Sequence, residues 1–523
     1  MSIIRVAKPN RFPRAPAGLA RLWILGSVVA LAVMIPLWPK TEAPAPRAHA
    51  AETQAPALED TWEAFYLQDT KIGYGHTIER RVERDGQKLI ETETLNHLSI
   101  ARFGQKTEQE FKTWCWETPE GKLVSFKADI TFGPTPTRVE GHVDGSQMVI
   151  QTVTQGRTTT DRLPWSDDIR GFRASERSLE EQPLKPGEKR KFKMLMPVVN
   201  QVAQIELKAR DFETTSVLGT QTRLLKVDCK ASLPDGNLIA STEWVDAQGH
   251  TIKSRVAALK QESYRTTREL ALAEQPAGAS FDLGNDLIVK LPQPLPNPHR
   301  TKEVRYRVEL TDDDPAKVFA TGPTQAVKSL GPHTAEVTVR SLRPQDLPAV
   351  DKAAPAVGKQ YTSANNVLQI DDPRVLAMAK EGKGTATSPR EVAVALEKFV
   401  NRAVTKKNFS QAFATAAEVA ESREGDCTEH AVLLAALARA CQIPSRVAIG
   451  LVYVESAGGF GYHMWTELYL DGTWVPMDAV LGQGGTSAAY LKLTDSSLDG
   501  PAAYSSFLPV AQVVGQLKLS VID

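Results

Sequence analysis

Cysteine is scarce. The 523 residues hold four, Cys115, Cys229, Cys427 and Cys441, too few for a disulfide framework in a chain this long. They are also too scattered for a zinc-type cluster. Only a single pair, Cys115 with Cys229 in an oxidising compartment, stays open. Net charge is missing as well, because 62 basic residues balance 62 acidic ones. Nothing in that balance points to nucleic acid. The sequence has no repeat of fixed period and no glycine loop shaped for phosphate.

Long apolar runs are absent, with one exception near the start. Arg5, Lys8, Arg11, Arg14 and Arg21 precede any acidic residue, and Leu22–Trp38 then runs on without a charge. The run sits at the lower limit for a spanning helix, and its basic flank predicts the N-terminus inside and the remainder outside. Residues 1–21 are therefore expected as a cytoplasmic basic tail, 22–38 as a transmembrane anchor and 39–60 as an Ala/Pro-rich tether. Ala48-His49-Ala50 has the form of a signal-peptide cleavage site. It lies well past the apolar run, so an uncleaved anchor is favoured.

Between residues 61 and 275 helical periodicity is nearly absent, apart from turns near Ser175–Glu181. Turn pairs recur instead: Asp85-Gly86, Glu120-Gly121, Asp144-Gly145, Asp235-Gly236 and Gln248-Gly249. Short β-prone runs separate them, which predicts an antiparallel β domain. Trp114 and Trp116, around Cys115, are expected in its core. The proline-rich stretch in 276–300 reads as a stiff linker. Alternation at Val304, Tyr306, Val308 and Leu310 predicts a small β unit over 301–350. Helices are expected from Asp372-Pro373, from Ser388 with Glu391, and from Thr415 with Glu418.

The chemistry concentrates in 351–523. Asp426-Cys427-Thr428-Glu429 has the form of a capping box, with apolar residues following at Ala431, Leu434, Ala435 and Ala438. Cys427 then falls at the first helical position, where the positive helix end favours thiolate over thiol. Its backbone N–H is one of the donors of that turn and suits an oxyanion. A strand over Val447–Val454 and a glycine-rich loop, Gly458–Gly461, lead into a hairpin. Its arms are His463–Leu470 and Thr473–Asp478, joined by Asp471-Gly472. Counting outward from the turn makes His463 and Asp478 diagonal neighbours, roughly 7–8 Å apart between backbones. A thiol, an imidazole and a carboxylate so arranged are a nucleophile, a base and a group that orients the base. His430, on the cysteine's own helix, is expected to pack, and Trp465 and Glu467 to line the core or a pocket. Cys441 lies about 21 Å along the helix, out of reach of Cys427.

The patterns GDCxEHAxLLxALxRAxxIPxR and HxWxELYxxGxWxPxD resemble the core of the transglutaminase-like superfamily of papain-like thiol enzymes. The resemblance runs from about 371 to 493. It implies an α+β fold with a papain-like transglutaminase core, in which the cysteine helix packs on an antiparallel sheet, preceded by the β domain and the transmembrane helix. It makes Cys427 the nucleophile, His463 the general base and Asp478 its orienter, with no cofactor and no metal. For a second oxyanion donor upstream the candidates are Asn408 and Gln411, and no acidic loop resembles the calcium sites of animal transglutaminases. The expected activity is extracytoplasmic, at a bacterial inner membrane, on amide or acyl bonds of a protein or peptide. Hydrolysis is favoured over cross-linking. An acyl transferase and a catalytically silent peptide-binding module stand as alternatives.

Overall fold

A computed structural model of the chain describes residues 56–522, apart from 103, 132–135, 197–198, 257–259, 275–280, 349–354, 408–412 and 501–502. The expected tail and anchor lie outside the described residues. Among the described residues no helix is long and apolar enough to cross a membrane. The tether gives way to a strand at Ala57, a few residues before its expected end.

Alternating side chains and tight turns generate fifteen strands between Ala57 and Thr266, joined in one sheet. The chain starts in the middle, at β1 (Ala57–Leu67), and steps strand by strand to one edge at β8 (Arg157–Pro164). It resumes at the other edge with β9 (Ile169–Arg170) and β10 (Lys189–Met196) and works back to β15 (Gln261–Thr266), which pairs antiparallel with β1. Neighbours are antiparallel except β9 with β10. The Asp85-Gly86 turn has φ of 52° and 75°, the left-handed pair that a type I′ hairpin requires.

The turns expected near Ser175 form a helix, α1 (Ala174–Glu181). A charged network ties it to the sheet. Arg173, only 1% exposed, meets Glu79 at 2.5 Å, and Arg177 meets Glu117 at 2.9 Å and Glu79 at 3.0 Å. Such a network contributes little net stability, yet removing one partner strands the others and costs about 3–5 kcal/mol. Cys115 and Cys229 are separate buried thiols, so the pairing left open by the sequence does not occur. Trp114 and Trp116 do not fill the core as expected. They alternate out of phase with buried Cys115, half-buried beneath cations: Lys112 and Lys127 over Trp114, Arg84 over Trp116.

The proline stretch is not a free spacer. Within it β16 (Val289–Lys290) pairs with a strand of the second sheet, at Gly459 and Phe460, Leu291 and Leu295 are buried, and the Leu295 N–H donates to the Tyr453 hydroxyl at 3.1 Å. Burial of the leucines holds it in place. The small β unit contains β17 (Glu303–Glu309), β18 (Gln325–Gly331) and β19 (Thr334–Arg340). Its fourth strand comes from the far end of the chain, so the expected boundary at 350 is crossed.

A short helix, Leu508–Val513, lies near the end of the last region, and four helices between residues 373 and 440 with a second antiparallel sheet build the rest of it. The four helices are α2 (Pro373–Lys383), α3 (Pro389–Ala403), α4 (Ala416–Ser422) and α5 (Cys427–Ala440). Capping boxes at Ser388/Glu391, Thr415/Glu418 and Asp426/Glu429 form where the sequence predicts them. The strands are β20 (Ser445–Val454), β21 (Gly459–Leu470), β22 (Thr473–Met477) and β23 (Tyr490–Ser496), and β24 (Lys518–Ile522) returns to β17. Helix α5 is buried on every side from Cys427 to Arg439, against β20, β21 and the other three helices. The expected apolar stripe widens to a whole cylinder because α5 is the centre of the domain.

Candidate active site

The backbone before Cys427 is tightly constrained. Gly425 has φ of 144°, and a Cβ there would sit 2.3 Å from Glu429, so only glycine fits. The carboxylate of Glu429 accepts from the Asp426 N–H at 3.0 Å and the Ala414 N–H at 3.1 Å, and that of Asp426 accepts from the Thr428 N–H at 2.8 Å. These bonds fix the first turn of α5 and with it the thiol, which is 8% exposed.

The hairpin forms in the expected register. Asp471 and Gly472 have φ of 50° and 84°, Leu470 faces Thr473, and pairing runs out to Thr466 opposite Met477. That register delivers the expected diagonal pair: His463 Nε2 donates to Asp478 Oδ2 at 2.9 Å. With Nε2 committed, Nδ1 is the ring nitrogen left for Cys427, with which His463 shares a side-chain hydrogen bond. Burial pulls the imidazolium down, but the Asp478 charge and hydrogen bond and the Cys427 contact outweigh it and raise the ring to about 10. Burial likewise pushes Asp478 up, and the opposed attraction of His463 and the Tyr490 hydroxyl brings it below the usual carboxylate range. The two shifts describe one buried ion pair.

Two partners of Asp478 escaped the sequence reading. Tyr490 on β23 donates its hydroxyl to Oδ2 at 2.6 Å. Glu397 on α3, fully buried, accepts from the Asp478 backbone N–H at 2.9 Å and from the Gly485 N–H at 3.0 Å, and it also takes the Gly484 N–H. Burial pushes Glu397 up to about 7 against the pull of those three donors. Neither residue belongs to a local motif. Only the amphipathic phase of α3, with a charged residue on its apolar side beside Leu396 and Val400, could have flagged Glu397.

The other expectations sort cleanly. His430 packs as expected: it is 1% exposed, its Nδ1 sits 2.5 Å from the Asp426 carbonyl, and burial lowers its pKa. Trp465 stacks beside His463 at 6.3 Å and meets Tyr490 edge-on at 5.4 Å. Glu467 binds Arg446 and Lys492, each at 2.7 Å, and so is structural. Cys441 closes the far end of α5. The glycine loop is no loop, since Gly459–Gly461 lie within β21, paired to β20 and β16, and Phe460 is fully buried. Asn408 and Gln411 lie outside the described residues.

Residues 376–479 match the family model of the transglutaminase-like superfamily core, and the match spans Cys427, His463 and Asp478. This part of the chain is a transglutaminase-like core domain. No protein of curated function matches the chain. Among solved structures, a candidate cysteine protease from Cytophaga hutchinsonii aligns at 14% identity, over 43% of this chain and 84% of its own, with a TM-score of 0.27. The periplasmic domain of TgpA from Pseudomonas aeruginosa aligns at 15% identity, over 35% and 91%, with a TM-score of 0.21. A β-barrel-like DUF1849 protein from Brucella abortus aligns at 10% identity, over 40% and 95%, with a TM-score of 0.29. At these scores the likenesses carry no argument about function.

Proposed function

We propose that the chain is a thiol enzyme acting on amide or acyl bonds through Cys427, His463 and Asp478. One observation carries the reading: a single, largely buried imidazole is bonded to Asp478 at 2.9 Å and also shares a side-chain hydrogen bond with Cys427. Cys427 Sγ attacks the carbonyl carbon as the thiolate, its proton already held on the His463 imidazolium. The tetrahedral intermediate collapses, the bond to the leaving group breaks, and His463 returns the proton to that group. The product is a thioester. Water, deprotonated by His463, then releases an acid and restores the thiol. The N-terminus of α5 favours the oxyanion of both steps.

Hydrolysis is preferred to cross-linking. A thioester meets water by default, and an amine wins only where water is excluded and the amine is held. Incubating the purified protein with a glutamine-containing protein and a labelled primary amine decides between them. We expect free acid without incorporated label, formed by the enzyme and abolished by Cys427→Ala. Cys427-dependent incorporation of label that outruns hydrolysis would make the enzyme a transferase instead. A silent binding module is disfavoured by the intact set of three groups. Equal processing of envelope peptides by wild type and Cys427→Ala would revive it.

The apolar run at 22–38 and its basic flank support an extracytoplasmic site on the inner membrane. Protease added to intact spheroplasts should digest the large domains; full protection would reverse the orientation.

A further inference from the structure

Asp478 stands at the end of β22, at the start of a glycine-rich segment that runs to Gly485. Such a segment has little intrinsic rigidity, since Gly482, Gly484 and Gly485 adopt φ of 62°, 74° and 114°. A base-orienting carboxylate carried there needs an external support. Helix α3 provides one from two residues a single turn apart, hence on one face. Glu397 accepts the N–H groups of Asp478, Gly484 and Gly485, closing both ends of the segment. Asn401 donates through Nδ2 to the carbonyls of Ala479 at 2.9 Å and Val480 at 2.8 Å. The fit is close, since a Cβ on Gly482 would come within 2.9 Å of the Asn401 side chain. Acceptors meet the N–H groups and a donor meets the carbonyls, so the two side chains read opposite polarities of one stretch of backbone.

We infer that Glu397 and Asn401 are positioning residues of the catalytic site, fixing the Asp478 carboxylate against His463 by clamping the 478–485 backbone to α3. The inference rests on the proposed roles of His463 and Asp478. A buried carboxylate with no cationic partner is a costly way to hold a loop, and a purely structural loop would be served by packing or by neutral donors. Here the cost falls on the residue that carries the orienting carboxylate. Tyr490 completes the arrangement from β23, so the Asp478 side chain is held at Oδ2 by His463 and Tyr490 and at Oδ1 by the Val480 N–H at 2.8 Å.

The test uses the full-length protein and two readouts, the NMR titration of the His463 ring and the alkylation rate of Cys427 by iodoacetamide. Glu397→Gln places an amide donor where N–H groups point, and Asn401→Ala removes both donor bonds of the amide. Each should lower the His463 titration toward that of Asp478→Ala and slow alkylation by about tenfold or more. In an Asp478→Ala background the same substitutions should have no further effect on either readout. Thermal unfolding identifies any variant that fails to fold, and Asn401→Ala, at a half-buried position, keeps the test available should Glu397→Gln unfold. Folded variants whose unfolding temperature drops while the His463 titration and alkylation rate stay at wild-type values would overturn the inference. So would effects that simply add to those of Asp478→Ala. Failure of the proposed function itself looks different: wild type and Cys427→Ala would process substrate equally while the His463 titration still responded to Asp478→Ala.

Discussion

At the scale of single residues the site is a contest between desolvation and pairing. His463 and Asp478 are each penalised by burial, and each is held charged by the other. Asp478→Asn removes the charge while keeping the shape. Its amide has one acceptor oxygen in place of two, so facing that oxygen to His463 and Tyr490 turns its N–H donors at the Val480 N–H, and facing it to Val480 turns them at the imidazole, which loses its fixed orientation. Turnover should fall by about two to four orders of magnitude with little change in unfolding temperature. Undiminished turnover would remove Asp478 from the mechanism. The outline of this site was legible in the sequence because its parts are local. A capping box lies within four residues, and a two-residue turn sets the register of everything beyond it. Tyr490 and Glu397 were not legible: the Glu397 contact spans 81 positions, and no periodicity encodes which loop a buried glutamate will meet.

At the scale of elements, α1 makes the β domain sensitive to pH. Burial raises Glu176 and Glu180 to about 8, from an ordinary 4.5. For a carboxyl raised on folding, the stability it contributes is complete below the unfolded value and is lost as pH climbs through the folded one. Unfolding temperature, followed in the full chain through the β domain's signal, should therefore drop between about pH 5 and about pH 8.5, and Glu176→Gln should flatten the drop. A wild-type curve rising over that window would refute the assignment. The strands themselves were readable from recurrent turn pairs, and the helix showed only as turns near Ser175–Glu181. Half of its eight residues are charged, and Arg177 among them is held by strand carboxylates that lie far away in sequence.

At the scale of the whole molecule, sequence order misleads about boundaries. Proline and glycine mark where backbone changes direction, which suggested cuts at 276–300 and 350. Strand pairing ignores both cuts, because β16 edges the second sheet and β24 crosses back to β17. Contacts also join the β domain to the core: Arg157 with Asp371 at 2.6 Å, Asn366 with Thr159 at 2.8 Å, and Gln155 with Thr415, the cap of α4, at 3.1 Å. A fragment starting at 351 would leave Leu519 and Phe460 without their covering strands. It should unfold without cooperativity, whereas one starting at 281 should show a single calorimetric transition. A cooperative 351–523 fragment would show that β16 and β17 are dispensable.

The most direct measurement is the rate at which iodoacetamide labels each cysteine of the folded protein near neutral pH. Packing alone ranks Cys441, half-buried at the end of α5, ahead of Cys427, which is 8% exposed. The thiol–imidazole–carboxylate arrangement predicts the reverse order, with Cys427 labelled fastest of the four and slowed to the level of the others by His463→Ala. Labelling of Cys427 no faster than Cys441, and unchanged by His463→Ala, would contradict the account.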